Sequence, residues 1–335
     1  MTQAELASRA GISRTAVTAI EGSRLIPSVS AALSLAKALD TTVELLFCND
    51  NAGEQSSQWA WQPQGNRPAY WQAEVNGQHW FYPADSLPML ALPPDGLTHA
   101  EGEAPAAALS SSVPTLVLAG CDPAAGLLAS LFGRATGMRM LVLQRSTRQS
   151  LELLQQGKVH AAGLHLSTAD DPERNSGFVR EMLGGGYMLL RIAHWQEGIA
   201  AVPSTKVRSV RGAVAAKLTW IGREVGSGAR LCLDRLRGDR PAPRRIAKSH
   251  RQVAEAVKSG WADVGVCLQL VSSEAGLDFL PVQEEAYDLC VPRANFGDPL
   301  LQSLLAAVRS TEYRRLLGGL PGYNTTETGE LAEVR

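Results

Sequence analysis

Residues 222–230, GREVGSGAR, set Gly226 and Gly228 on either side of Ser227, between an apolar run (LTWIG) and a helical one (ARLCLDRLR). A glycine corner between a strand and a helix leaves backbone N–H groups free at the helix N-terminus, where they and the helix dipole favour an anion. Two more corners share this design. Gly120-Cys121-Asp122-Pro123 follows the apolar strand at 114–119, with Pro123 suited to a first helical position. Arg145-Ser146-Thr147 follows MRMLVLQ. Arg223 and Arg230 border the glycine corner, and Arg230 has the planar fork that suits an oxyanion. Ligands of open α/β sheets sit beyond the carboxyl ends of the strands, where such corners lie. The expectation is an anion cleft built from Cys121, Ser146, Arg223, Gly226, Ser227, Gly228 and Arg230.

The elements that must hold these corners alternate. From residue 113 the chain reads strand (VPTLVLAG), helix (PAAGLLASLFGRAT), strand (MRMLVLQ), helix (STRQSLELLQQG), strand (VHAAGLHL), which predicts a mostly parallel sheet with helices on its faces. The pattern shifts at 187–202 and resumes with LTWIG, SHRQVAEAVKSG and ADVGVCLQ; LDFLPV and YDLCVP read as two further strands. The economical architecture is bilobal, over 113–330, with lobe 1 at about 113–190 and 277–330 and lobe 2 at about 191–276. Residues 51–112 read as a connector rich in Trp and Pro. It carries Trp59, Trp61, Trp71 and Trp80, a hairpin turning at Asn76-Gly77, and polar linkers at 48–57 and 99–112. Its tryptophans are expected in packing or at a dimer contact.

Residues 1–50 carry different chemistry. Starting a helix at Gln3 puts Ala7 where two helices cross and Gly11 where a left-handed residue must turn the chain. Leu6, Ile12, Val17 and Ile20 fill the wedge, and Ser13 caps a second helix. That helix presents Ser13, Arg14, Thr15 and Thr18 to a DNA major groove, with Gln3 set for a backbone phosphate. The segment is not net basic: Arg9, Arg14, Arg24 and Lys37 face five acids, so a monomer should bind DNA weakly.

Composition narrows the class. The chain has 335 residues and a net charge of −1, so any affinity for nucleic acid is local. Five cysteines, none in a CxxC pair, argue against a disulfide framework or a zinc site and fit a reducing cytoplasm. The polar, helical start is unlike a secretion signal, and no run is long enough to span a membrane. Residues 206–251 hold thirteen Lys or Arg against three acids, read mostly as a solvated basic face. Cys121 is expected as a packing residue or redox sensor, Asp122 and His250 as helix caps, and Asp263 as a turn brace. His165 is read either as a structural histidine or as a ligand contact.

Two resemblances sharpen these expectations. The N-terminal region, continuing through IEGSRLIPSVSAALSLAKALDTTVELLF, resembles the lambda-repressor-like, or XRE, helix-turn-helix family. That likeness implies two further closing helices and one helix before Gln3, where this sequence starts almost at once. From about 114 to 329 the chain resembles the periplasmic-binding-protein-like domain related to molybdate-binding proteins. The carrying motifs are AGCDPAAGLLA, RSTRQSLELLQQGKVHAAGLHL, REVGSGARLCLD, SHRQVAEAVKSGWADVG, GLDFLPVQEEAYDL and LPGYNTTETG. It departs at AVPSTKVRSV, where relatives carry a Gly-Asn-Pro turn. The resemblance implies a class II bilobal fold with Ser146, Thr147, His165, Ser227, Gly228, Arg230 and Tyr287 at the ligand. It also implies molybdate, tungstate, another oxyanion or a molybdenum-cofactor-related compound as effector.

The expected protein is a cytoplasmic, ligand-responsive transcription regulator. It would bind a two-fold operator on double-stranded DNA as a homodimer, with no cofactor, no metal and no membrane. The alternatives are a solute-binding protein of a transport system, which would need a secretion signal, and an enzyme on the same scaffold. No catalytic residue is assigned, because the one thiol near the cleft, Cys121, has no partner histidine nearby in sequence. His165 could approach it only in space.

Overall fold

The computed structural model describes residues 2–22, 24–43, 46, 58–63, 69–84, 92–98 and 113–334. The chain divides into two compact units, Met1–Ser56 and Ser57–Arg335. The expected linkers at 48–57 and 99–112 lie outside the described residues.

In the first unit, α1 (Gln3–Ala10) starts at a capping box in which Thr2 and Glu5 exchange hydrogen bonds. It ends at Gly11, whose φ of 66° is the left-handed turn predicted there. Ser13 caps α2 (Arg14–Glu21) by accepting from the Ala16 N–H at 3.0 Å. A third helix, α3 (Val29–Ala38), closes a small core of Ala10, Leu35 and Ala38, with Leu6, Ile12, Ile20 and Leu46 packed against it. It is the first of the two expected closing helices; the second falls mostly outside the described residues.

The second unit opens with a small sheet of β1 (Gln58–Trp59), β2 (Ala69–Val75), β3 (Gln78–Pro83) and β4 (Gly96–Leu97), in the order β1-β3-β2-β4. The β2–β3 hairpin turns at Asn76 and Gly77, both with positive φ, as a two-residue type I′ turn requires. Trp71, Val75, Trp80 and Tyr82 share one apolar cluster with Val117, Leu141, Leu151 and Val159 of the domain that follows. The Tyr82 hydroxyl donates to the Lys158 carbonyl at 2.7 Å. Trp71 and Trp80 therefore serve packing, welding this sheet to the larger body.

That body runs β5 (Thr115–Gly120), α4 (Ala125–Thr136), β6 (Arg139–Gln144), α5 (Thr147–Gln155), β7 (Ala161–Thr168), α6 (Arg174–Leu183) and β8 (Tyr187–Ala201). It continues α7 (Val210–Ala215), β9 (Trp220–Arg223), α8 (Gly228–Arg237), β10 (Arg245–Ala247), α9 (His250–Lys258), β11 (Val264–Leu268) and α10 (Gln269–Glu274). It closes with β12 (Asp278–Pro292), α11 (Pro299–Arg309), α12 (Thr311–Gly318), β13 (Tyr323–Asn324) and β14 (Leu331–Val334). The sheet order is β10-β9-β11-β8-β12-β7-β5-β6, with β13 and β14 added to β8. Two parallel groups, β5/β6/β7 and β9/β10/β11, flank the antiparallel pair β8 and β12, so the sheet is mixed. Helices cover both faces at each end: Leu128, Phe132 and Leu304 against Leu116 on one face of the first group, Val253 and Val257 against Ile221 on one face of the second.

The sequence breaks 187–202 and 278–292 into separate runs; the structure makes each a single fifteen-residue strand. The reason lies in their pairing. β8 and β12 run side by side from Tyr187–Pro292 to Ala201–Asp278, and irregularities at Pro281/Gln283 and Tyr287/Asp288 absorb what looks like a break. Pro123, expected as a first helical residue, lies in the turn ahead of α4, whose N-cap is Ala124. Among the described residues, no helix is long and apolar enough to cross a membrane.

At Gly198 the two long strands touch backbone to backbone: an added Cβ would come within 2.3 Å of the Leu280 carbonyl oxygen. Gly198→Ala should lower the urea midpoint of the intact chain by an amount equivalent to about 1–3 kcal/mol, as overpacking does. An unchanged midpoint would show that the contact is dispensable.

Candidate ligand-binding cleft

Each parallel group ends in strand-to-helix corners, and the corners of the two groups meet. A Cβ added at Gly226 would lie 3.2 Å from the Arg148 Cβ, one residue beyond Thr147. One added at Gly228 would lie 2.5 Å from His165 Cε1 and 2.6 Å from the His165 carbonyl oxygen. The Ser146-Thr147 and Gly226-Ser227-Gly228 corners thus face each other in a closed cleft, and only glycine allows so close an approach. The first corner is held too: Arg251 of α9 reaches the Pro123 carbonyl at 3.5 Å.

Polar atoms without partners collect there. Ser146, Thr147, Arg223, His250 and Tyr287 are all buried. Thr147 Oγ1, Tyr287 OH, Arg223 Nη1 and both ring nitrogens of His250 lack hydrogen-bond partners, and Ser146 Oγ, though set in a capping box with Gln149, makes no regular hydrogen bond. Leaving such groups dry costs about 1–3 kcal/mol each, more when charged. Arg223 spends only part of its fork, donating from Nε and Nη2 to Glu224 at 3.0 Å each. Tyr287 stacks on Trp195, with centroids 4.4 Å apart, and its hydroxyl lies over Gly120 and Gly163, where an added Cβ would come within 2.6 and 2.2 Å.

Other predicted residues have structural duties. Ser227 Oγ donates to the Glu224 carbonyl and accepts from the Arg230 N–H, capping α8. Arg230 turns its Nε to both carboxylate oxygens of Asp234 at 2.8 Å. Asp122 Oδ1 accepts from the Ala124 N–H at 2.8 Å and from the Tyr323 hydroxyl at 2.5 Å. Asp263 braces its turn through the Thr219 N–H at 2.7 Å. The capping role expected of His250 belongs to Ser249, whose hydroxyl accepts from the Gln252 N–H. A histidine next to a capping serine reads like a cap, but its ring turns inward.

Sequence reasoning missed the network beneath. His165 Nδ1 meets Glu285 Oε2 at 2.6 Å, Trp195 Nε1 donates to the same oxygen at 3.2 Å, and Gln283 bridges Glu285 and Glu197. Burial alone would pull the His165 pKa down, but Cys121 and Glu285 outweigh it and hold the ring well above its ordinary value. Burial opposes ionisation of Glu285 too, and the His165 ring more than compensates, keeping this carboxyl below the usual range. Burial and the neighbouring Glu285 push Glu197 well above that range. His250, buried near Arg223 and His165, is pulled well below. The signal for Glu285 was present in QEEAYDL, since alternation along a strand points Glu285 and Tyr287 to one face.

In the first unit, Gln3 donates to Glu21 at 2.6 Å and accepts from Thr18 Oγ1 at 3.1 Å. Ser13 is spent on its cap, while Arg14, Thr15, Thr18 and Arg24 line one surface hollow.

The fold and cleft define a two-lobed α/β domain of the substrate-binding-protein type, preceded by an XRE-type helix-turn-helix. Matches to known families agree: the PBP superfamily domain matches residues 129–309 and the helix-turn-helix family residues 1–46. The chain belongs to the PBP superfamily domain family. It is 29% identical over 229 residues to the uncharacterized protein YvgK of Bacillus subtilis, covering 65% of this chain and 73% of that one. An ABC-transporter substrate-binding protein with bound phosphate from Clostridium perfringens shares the fold at a TM-score of 0.50 and 10% identity, over 63% of this chain and 99% of that one. A tungstate ABC transporter structure from Geobacter sulfurreducens aligns with a TM-score of 0.45 at 17% identity, over 59% of this chain and 95% of that one.

Burial pushes the Asp122 carboxyl up to about 6, against the bonds from Tyr323 and Ala124. Between its ordinary value of 3.8 and about 6, the folded chain keeps a proton that the unfolded chain releases. This contribution to stability is therefore full below that window and lost as pH rises through it. Asp122→Asn keeps the Oδ1 acceptor and removes the titration. Urea midpoints from about pH 4 to about pH 7 should fall less for the variant than for the parent, and parallel curves would refute the assignment.

Proposed function

We propose that this chain is a ligand-responsive transcription regulator whose large domain closes on a small oxyanion, a tetrahedral dianion of the molybdate or tungstate kind. The observation that carries the reading is the set of buried donors without partners, Ser146 Oγ, Thr147 Oγ1, Tyr287 OH and Arg223 Nη1, where corners from both lobes meet. Three are neutral hydroxyls, which suit an anion that arrives with no proton to place. The helix N-termini of α5 and α8 add their dipoles. A structural neighbour holds phosphate in the same scaffold, but the weight rests on the donors.

The helix-turn-helix supplies the output. A ligand that binds the closed form shifts its population, and DNA affinity changes to the extent that closed and open forms differ in it. A non-enzymatic, cytoplasmic role accords with this reading. A homodimer on a two-fold operator does as well, because Leu25, Ile26, Val29 and Leu33 expose an apolar strip of the first unit. We assign that strip to a second copy of the chain.

Calorimetry of the intact chain with molybdate, tungstate, sulfate and phosphate should give heat with at least one. Ser146→Ala and Thr147→Ala should each weaken that binding tenfold or more, since a hydrogen bond to a charged group contributes about 1.5–3 kcal/mol. Heat with none removes the oxyanion, and operator affinity unmoved by a saturating ligand removes the switch. Ile26→Asp should shift sedimentation of the chain from dimer to monomer; a parent that already sediments as a monomer rules the dimer out.

A further inference from the structure

The donors above leave part of the cleft unexplained. Cys121, His165 and His250 come from three separate elements: the corner after β5, the strand β7 and the start of α9. Each offers one ligand atom, and the three atoms lie within 4.8 Å of one another, all buried. Residues 119 and 163 sit in neighbouring strands of the first lobe, whereas His250 belongs to the second, so the cluster assembles only across the closed cleft.

We propose that Cys121, His165 and His250 form a binding site for a borderline-soft divalent transition metal, of the zinc or cobalt class. One thiolate and two imidazoles are the donor set such ions prefer over calcium or magnesium. Three protein ligands leave a tetrahedral ion one open position for water or an anion. The surroundings are those of a metal-bound histidine. His165 is gripped at Nδ1 by Glu285, which itself is held by Trp195 and Gln283. A carboxylate behind the ring orients it, and the other nitrogen coordinates as the metal displaces its proton to solvent.

A thiol beside an imidazole backed by a carboxylate is also how a cysteine nucleophile is built. His250 decides between the two. Its ring packs 5.7 Å from that of His165, it is 1% exposed, and neither of its nitrogens has a partner. A nucleophile–base pair has no use for a second histidine, while a metal gives it a bond and removes a buried orphan.

The site is independent of the oxyanion reading, because Ser146, Thr147, Tyr287 and Arg223 are not among its ligands. Metal-stripped full-length chain titrated with Co(II) should bind one equivalent and develop the thiolate-to-cobalt charge-transfer absorption of a cysteine ligand. Cys121→Ser should abolish that band with its near-ultraviolet circular dichroism unchanged. His250→Ala should weaken binding at least tenfold, and Glu285→Gln ten- to a hundredfold through the outer shell. No band in the parent, or a band that survives Cys121→Ser, overturns the site. If Cys121→Ser fails to fold, the affinities of His250→Ala and Glu285→Gln decide, and values equal to the parent's overturn it. Oxyanion calorimetry on the metal-stripped parent separates the two ideas: heat there without a cobalt band sinks the metal and leaves the anion. A cobalt band with no oxyanion heat, stripped or loaded, does the reverse.

Discussion

Everything in the larger unit hangs on the ladder between β8 and β12. Each strand runs fifteen residues, and together they carry the chain from one parallel group to the other and back. The same ladder supplies the chemistry. Trp195 and Glu197 project from β8, and Gln283, Glu285 and Tyr287 from β12, so the floor of the cleft is also the link between its walls. An alternating strand gives one face to the cleft at every second residue, which is why 283, 285 and 287 arrive together. Movement of one lobe against the other must flex this pair, and its irregularities at Pro281/Gln283 and Tyr287/Asp288 sit beside those side chains.

Closure is steric before it is electrostatic. Gly226 and Gly228 let the second lobe press onto Arg148 and His165, and Gly120 and Gly163 let the Tyr287 hydroxyl lie flat over two strands. A side chain at Gly226 or Gly228 would hold the walls apart, and one at Gly120 or Gly163 would push Tyr287 from its place. The result is a closed cleft in which three hydroxyls, one guanidinium nitrogen and one imidazole are buried without protein partners. Their desolvation is a cost the closed form carries until something binds, and it is the reason a ligand would favour closure.

The α/β alternation, the hairpin at Asn76-Gly77, Gly11 and the Ser13 cap were all legible, because each is local: a period, a turn dipeptide, a residue that must take positive φ. The three corners were legible for the same reason. What could not be read were pairings between residues far apart in the chain. His165 and Glu285 are 120 residues apart and Asp122 and Tyr323 are 201 apart, and no spacing rule connects them. Nor could spacing show that Cys121, with no histidine near it in sequence, meets two in space. Reading LDFLPV and YDLCVP as separate strands failed for a related cause. Pro281 and the stretch at 283–287 look like breaks, and only a long antiparallel partner shows that the chain runs through them as bulges.

Two carboxylates in a cleft offered to an anion look like a contradiction, and their surroundings remove it. Glu285 is ionised, but it faces the His165 imidazolium and accepts from Trp195 and Gln283, so its charge is answered within 3.2 Å. Glu197 then sits beside a carboxylate already ionised, buried, with its proton retained. The Arg223 charge is partly matched by Glu224, leaving Nη1 to spare. The formal charges of the cleft thus cancel internally, and what remains facing the space is a set of N–H and O–H donors. Such a site selects an anion by the geometry of its acceptors more than by attraction at a distance, because fixed, buried donors need little reorganisation when the ligand arrives. It also sets a condition on the ligand. An oxyanion that kept a proton would have to set it on one of the few acceptors the array holds, a His250 ring nitrogen, Glu197 Oε1 or a hydroxyl oxygen, whereas one without a proton can take every donor at once.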